Sequence, residues 1–217
     1  YGINYGSFIP NDPFNTVPTT CNVCHEAIEY SYRNGVINVA ARGNEFIGGY
    51  DNATDSVFPS CTKDEMILSV SSSGYDGLFK SYSNDNPDPL STENYMSMYG
   101  RHVDLMAPGT TANVYSTEVD MSNDTYFYFN GTSAASPHAA GTAALMLSHV
   151  NRPCPCEKNL SSEDIENILQ KTASDRDSTI VNGTLINTAG AAKIIKPITA
   201  IRAAITISDF LIFSPSL

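Results

Sequence analysis

The sequence predicts an α/β fold in which short apolar strands alternate with helices. Three observations carry that expectation. Residues 1–41 read as strand, helix, strand: Tyr1 to Tyr5 ended by Gly6-Ser7, then Cys24 to Asn34 stopped at Asn34-Gly35, then Val36 to Ala41. That order describes a βαβ unit with parallel strands. Met66 to Val70 is a further apolar run of strand length. Ala134 to Val150 is a long run of small and apolar residues and reads as a buried helix.

The remaining elements follow in chain order. Phe8 to Thr20 is rich in Pro, Asn, Asp and Thr and reads as a loop, as does Asp51 to Lys63. After Met66–Val70 comes a polar stretch, Ser71 to Asn94, with Asn84-Asp85-Asn86-Pro87-Asp88-Pro89 as its clearest loop. Val103 to Gly109 is expected as a short strand ending in a turn. Ala112 to Ser116 and Thr125 to Phe129 are expected to pair as a hairpin. Beyond the long helix, Asn151 to Glu157 is a Cys/Pro connector. Ser161 to Thr172 is a second helix, with N-cap chemistry in Ser161-Ser162-Glu163-Asp164 and an apolar face of Ile165, Ile168 and Leu169. Gly190 to Ile195 is expected as a last short helix. No internal repeat is visible.

Composition narrows the function. A length of 217 residues suffices for a sizeable core. The net charge of −11, from 23 acidic and 12 basic residues, argues against nucleic acid and anionic membranes as partners. No apolar run reaches the ~18 residues of a membrane span, and the stretch that comes closest, Ile198 to Phe213, is broken by Arg202 and Asp209, so no span is expected. Residue 1 is Tyr, and the chain is expected to be cut from something longer. The five cysteines are Cys21, Cys24, Cys61, Cys154 and Cys156. Cys21-x-x-Cys24 with Cys154-Pro-Cys156 suggests zinc only weakly, because the C-x-C spacing is not a usual knuckle and no histidine is arranged with it. Disulfides in an oxidising compartment fit better, with the pairing open. Sequons at Asn52, Asn123, Asn159 and Asn182 point the same way, toward secretion or the secretory pathway.

The chemistry concentrates in Asn130-Gly131-Thr132-Ser133-Ala134-Ala135-Ser136-Pro137-His138-Ala139-Ala140-Gly141. Pro137 lacks the N–H that would bond the Ser133 carbonyl, a costly choice for a helix selected only for packing. A serine at a helix start, with glycine before it for close approach, suits a nucleophile. The pattern G-T-S-x-[AS]-x-P-H-x-x-G resembles the nucleophile motif of the subtilisin-like serine peptidases. That resemblance implies a three-layer α/β/α sandwich with a mainly parallel sheet, and peptide hydrolysis through an acyl-enzyme on Ser133. Ala40-Ala41-Arg42-Gly43-Asn44-Glu45 resembles the family's A-A-x-G-N. It implies Asn44 as side-chain oxyanion donor, the Ser133 N–H as second donor, and Ala41 and Gly43 as substrate contacts. Ile3-Asn4-Tyr5-Gly6-Ser7-Phe8 resembles the family's strand that pairs with the substrate backbone, which implies substrate roles for Gly6, Ser7 and Phe8. Gly6 stands where the family usually has Ser. Glu45, beside the pocket for the side chain before the cut bond, is expected to be solvated. Val103-Asp104-Leu105-Met106-Ala107-Pro108-Gly109 and Thr184-Leu185-Ile186-Asn187 resemble structural segments of the family.

The family's aspartate (D-[ST]-G) and histidine (H-G-[ST]) motifs do not occur in these residues. His138 belongs to the nucleophile motif and is not the family's base. His149 lies sixteen residues beyond Ser133, or ~24 Å along a helix. His25, His102 and His149 read as surface or packing residues. The expectation is therefore a peptidase domain over residues 1–195 without its N-terminal third, and a C-terminal extension or linker over 196–217. The Asp and His would come from the missing N-terminal part of the same domain, and this chain alone is expected to be inactive. The alternative is a non-catalytic pseudopeptidase that binds peptides or proteins. No cofactor is required for the chemistry. Structural calcium, common in the family, has the acidic loops 84–93 and 119–124 as candidates, with no ligand assigned.

Overall fold

A computed structural model describes residues 22–46, 66–74, 95–98, 103–110, 114–117, 126–150, 160–175, 179–181, 184–186, 193–194, 199–200 and 203. In chain order the elements are α1 (Asn22–Arg33), β1 (Asn38–Ala41), β2 (Asn44–Phe46), β3 (Ile67–Ser73), β4 (Tyr95–Ser97), β5 (Leu105–Pro108), β6 (Tyr115–Thr117) and β7 (Tyr126–Tyr128). They continue with α2 (Thr132–Val150), α3 (Ser162–Thr172), β8 (Ser174–Asp175), β9 (Thr179–Val181), β10 (Thr184–Ile186) and β11 (Lys193–Ile194). The main sheet runs β1-β3-β5-β11-β8. Its first four strands are parallel, and β8 joins the far edge antiparallel. This is the α/β architecture the sequence predicts, with a mainly parallel sheet.

The core explains why β3 carries the residues it does. Leu68 and Val70 on β3, with Leu105 and Ala107 on β5, meet Ala135, Ala139, Ala143, Met146 and Val150 of α2 and Ile165, Ile168 and Leu169 of α3. The alanines repeat at i, i+4 and i+8, so they line one face of α2 and let it approach the sheet closely. α2 lies across β1, β3 and β5. Every residue of β3 is buried. A central parallel strand is usually continuously apolar, and by that rule Ser71 to Ser73 belong in the polar stretch the sequence suggests. They continue the strand instead, because the Ser71 hydroxyl donates to the Met98 carbonyl (2.7 Å) and the Ser72 N–H donates to the Ser97 hydroxyl (2.9 Å).

Polar clamps tie the ends of the strands. Asn38 donates through Nδ2 to the Ile28 and Met66 carbonyls (3.3 and 3.1 Å) and accepts from the Ser31 hydroxyl (2.6 Å), which joins α1, β1 and the start of β3. Asp104 accepts from the Ser69 N–H (2.8 Å) and from Gln170 Nε2 of α3 (3.0 Å). Its own N–H donates to the Ser69 carbonyl (3.0 Å). Cys24 is disulfide-bonded, which agrees with the disulfide reading over zinc.

Two expectations are corrected. Gly190 to Ile195 is not a helix as a whole, because Lys193–Ile194 is a strand seated between β5 and β8, with Ile194 in register with Met106. The free edge of β5 supplies hydrogen-bond partners that a six-residue helix would lack. The strand expected from Val36 begins at Asn38, and Val36 sits exposed in the turn after α1. Beyond Lys196, Ala200 is fully buried in the core and Ala203 packs against it. No helix among the described residues is long and apolar enough to cross a membrane.

Candidate active site

The site forms where the end of β1 meets the start of α2. A parallel sheet delivers strand ends and helix starts to one edge, and that edge is where α/β folds place their chemistry. The chain leaves β1 through Arg42 and Gly43 into Asn44. Arg42 is fully buried, and its N–H donates to the Val70 carbonyl (2.9 Å). The Gly43 carbonyl accepts from the Met98 N–H (3.0 Å). These backbone bonds fix the segment before any side chain acts.

Thr132 then locks Asn44 to the helix. Its N–H donates to Asn44 Oδ1 (2.9 Å), and its hydroxyl donates to the same oxygen (3.1 Å). The Thr132 hydroxyl also accepts from the Gly43 N–H (3.0 Å). A backbone N–H can only donate, so the oxygen of the Asn44 amide faces Thr132 and the NH2 faces away. Among the described residues no group accepts from that NH2. The amide thereby caps the first turn of α2 through its oxygen, with its NH2 turned from Thr132.

Gly131 makes the approach feasible. Its φ is +97°, and a Cβ on it would stand 3.0 Å from Asn44 Nδ2 and 3.4 Å from Oδ1. Its carbonyl accepts from the N–H groups of Ala134 and Ala135 (2.9 and 3.2 Å), and its N–H donates to the Gly109 carbonyl (2.8 Å). A Cβ on Gly109 would lie 2.2 Å from Ser72 Oγ and 2.7 Å from the Gly131 carbonyl oxygen. Thus the end of β5, the core strand β3 and the start of α2 meet at backbone distance, which explains the glycine that closes V-D-x-x-A-P-G.

Ser133 follows at the second position of α2 and is exposed, whereas Thr132 before it and Ala134 and Ala135 after it are buried. Its N–H belongs to the first turn, where no residue four positions back supplies a carbonyl. Pro137 lies inside the helix, so the Ser133 carbonyl has no i+4 donor. His138 Nδ1 lies 2.7 Å from the Ala134 carbonyl oxygen, so that nitrogen carries the proton and is engaged within its own helix.

The structure thus brings Asn44, Gly43 and the Ser133 turn together, with Ala41 at the end of the neighbouring strand. Gly6, Ser7 and Phe8 lie outside the described residues, as do the side chain of Glu45, His102, the other four cysteines and the acidic loops 84–93 and 119–124. Among the described residues no group of three His, Cys, Asp or Glu is arranged to hold a metal. The sequence reading missed Thr132 as the lock. The available signal was a hydroxyl residue at a helix start immediately before the serine. It also missed the antiparallel β2–β4 pair that carries Asn44, which is in register with Ser97.

A sequence model of the subtilase family matches residues 4–190. The chain belongs to the subtilase family. Subtilisin DY from Bacillus licheniformis is 32% identical over 177 residues, covering 81% of this chain and 54% of that protein. A solved protease from Pseudoalteromonas arctica superposes with a TM-score of 0.58 at 27% identity, covering 82% of this chain and 46% of the other. The prenylagaramide maturation protease PagA shares the fold alone, with a TM-score of 0.56 at 21% identity. The chain thus spans about half the length of these relatives. Membership makes the chain part of a serine peptidase family and fits a subtilisin-like α/β fold of which these residues form part.

Proposed function

We propose that the whole protein is a serine endopeptidase in which Ser133 is the nucleophile and Asn44 the side-chain oxyanion donor. The observation that carries this reading is the Asn44 amide, oriented by Thr132 at the start of the helix that exposes Ser133. In the proposed reaction Ser133 Oγ attacks the peptide carbonyl carbon and its proton passes to an imidazole. The C–N bond breaks, the amine leaves with that proton, and water hydrolyses the acyl-serine. The Asn44 NH2 and the Ser133 N–H hold the oxyanion. The imidazole and its orienting aspartate come from the N-terminal part of the same domain, so these 217 residues alone are inactive. Gly43 and Ala41 contact the substrate backbone, and Gly6, Ser7 and Phe8 supply a further edge. No cofactor takes part in the chemistry, and any calcium is structural. The disulfide at Cys24 supports a route through the secretory pathway.

The test is covalent. A fluorophosphonate reagent on the whole protein is expected to label Ser133, and Ser133→Ala is expected to abolish the label. A correctly folded whole protein that takes no label contradicts the peptidase reading and leaves a peptide-binding pseudopeptidase.

A further inference from the structure

The β6–β7 hairpin carries more exposed aromatic surface than its packing uses. Tyr115, Tyr126 and Tyr128 are 63%, 58% and 58% exposed. Tyr115 is in register with Tyr128 across the pair, and Tyr126 with Thr117. Because side chains alternate along a strand, these residues share one face of the hairpin and Phe127 takes the other. The tyrosine rings gather, with Tyr115 5.5 Å from Tyr126 (interplanar angle 22°) and 5.1 Å from Tyr128. Phe127 lies 5.7 Å from Phe129, and both are partly buried. The phenylalanine side is thus the less exposed one, and the tyrosine side is presented to solvent. One cross-strand aromatic pair is enough to favour such a hairpin. The third ring, Tyr126, stacks on Tyr115 across the diagonal and extends the exposed aromatic face beyond that pair.

The hairpin is also continuous with the site. The Phe129 N–H donates to the Val114 carbonyl (3.0 Å), and the Gly131 N–H donates to Gly109 (2.8 Å). Tyr128 is five residues before Ser133, a span of at most about 17 Å of extended chain. An extended peptide bound at Ser133 covers the same distance with about five residues.

We propose that the Tyr115–Tyr126–Tyr128 face is an exosite for cationic side chains, Lys or Arg, on peptides held at Ser133. The placement of the peptide rests on the peptidase reading. Two features select the cation. Exposed aromatic faces attract ammonium and guanidinium groups through the ring quadrupole without needing a closed pocket. The chain carries a net charge of −11, which concentrates cations near its surface and disfavours acidic peptides.

The test uses the whole protein bearing Ser133→Ala, so that peptides bind without turnover, and fluorescence anisotropy with two labelled ten-residue peptides. One has Arg within five residues on each side of the bond to be cut, and the other has Gln at those positions. The Arg peptide is expected to bind about two- to fivefold tighter per engaged cation. Replacing all three tyrosines by Phe keeps the preference, because the ring faces remain. Replacing all three by Leu abolishes it and leaves the Gln peptide unchanged. If the triple Leu protein fails to fold by circular dichroism, Tyr126→Leu alone, opposite Thr117, carries the test and halves or further reduces the preference. The proposal is overturned if the Arg preference is absent, if it survives the Leu substitutions (net charge alone then suffices), if the Phe triple loses it, or if neither peptide binds. Fluorophosphonate labelling of the protein with Ser133 intact separates the two ideas. Failure to label with the ring-dependent Arg preference retained removes the peptidase reading and leaves the exosite.

Discussion

The two long helices after residue 130 begin in opposite ways. α3 is capped by its own residues: the Ser161 hydroxyl accepts from the Asp164 N–H (3.1 Å), and Asp164 Oδ2 accepts from the Ser161 N–H (2.9 Å). The box closes within four residues and sits at the surface. α2 has a glycine before its first residue, and its cap arrives from Asn44, 88 residues away in sequence. A local cap satisfies the N–H groups of its own helix and stops there. The distant cap joins two segments and orients an amide at the residue before an exposed serine. The contrast separates a helix start built for stability from one that also serves a site.

The sharpest way to break this contrast is Asn44→Asp. The carboxylate still accepts from the Thr132 N–H, and a negative charge suits a helix N-terminus. The cap therefore survives while both amide donors vanish. The loss of one oxyanion donor is expected to lower kcat by about 10²–10³, the magnitude known for a subtilisin. Steady-state kinetics on the whole protein is expected to show that fall with little change in the urea midpoint. A parallel fall in both makes Asn44 a structural cap only.

Thr132→Val is next. It keeps the shape of the side chain and removes the hydroxyl that accepts from Gly43 and donates to Asn44. A buried Gly43 N–H left without its acceptor costs roughly 1–3 kcal/mol. Urea denaturation is expected to show that loss, and Thr132→Ser to recover most of it. A wild-type midpoint for the valine variant rules out the lock.

Gly131→Ala follows. The left-handed conformation costs about 1–2 kcal/mol for a residue with a Cβ. The added methyl group also presses on Asn44 Nδ2 from 3.0 Å. Lower stability together with lower kcat is expected, because the displaced group is the proposed oxyanion donor. Lower stability with an unchanged kcat argues that the amide accommodates the methyl group.

How much was legible in the sequence follows from the same contrast. The α3 cap and face were readable from Ser161, Asp164, Ile165, Ile168 and Leu169, because every partner lies within a few residues. The α2 motif was readable as a pattern, and the A-A-R-G-N segment only through its likeness to the family. Thr132 was readable as a hydroxyl at a helix start, but its partners were not, since nothing local announces a bond to residue 43 or 44. Ser71 to Ser73 look like loop until Ser97 and Met98 are placed against them. Lys193–Ile194 becomes a strand only because β5 and β8 leave a gap that it fills. Long-range pairing decides elements too short to show a period of their own.

The smallest expected effect completes the comparison. Ser161→Ala removes the hydroxyl that accepts from the Asp164 N–H, and about 1 kcal/mol of stability is expected to go with it. The Asp164 carboxylate can still accept from the Ser161 N–H, so the box opens on one side only. Among the described residues α3 is tied to α2 and the sheet through the core, where Ile165, Ile168 and Leu169 meet them, and through Gln170 on Asp104. Fraying its first turn leaves those contacts in place. Thermal unfolding of the whole protein is expected to report the loss, while kcat and fluorophosphonate labelling of Ser133 stay at wild-type values. A matched fall in labelling shows that the α3 cap bears on the α2 start, and the division between a stability cap and a site cap then fails.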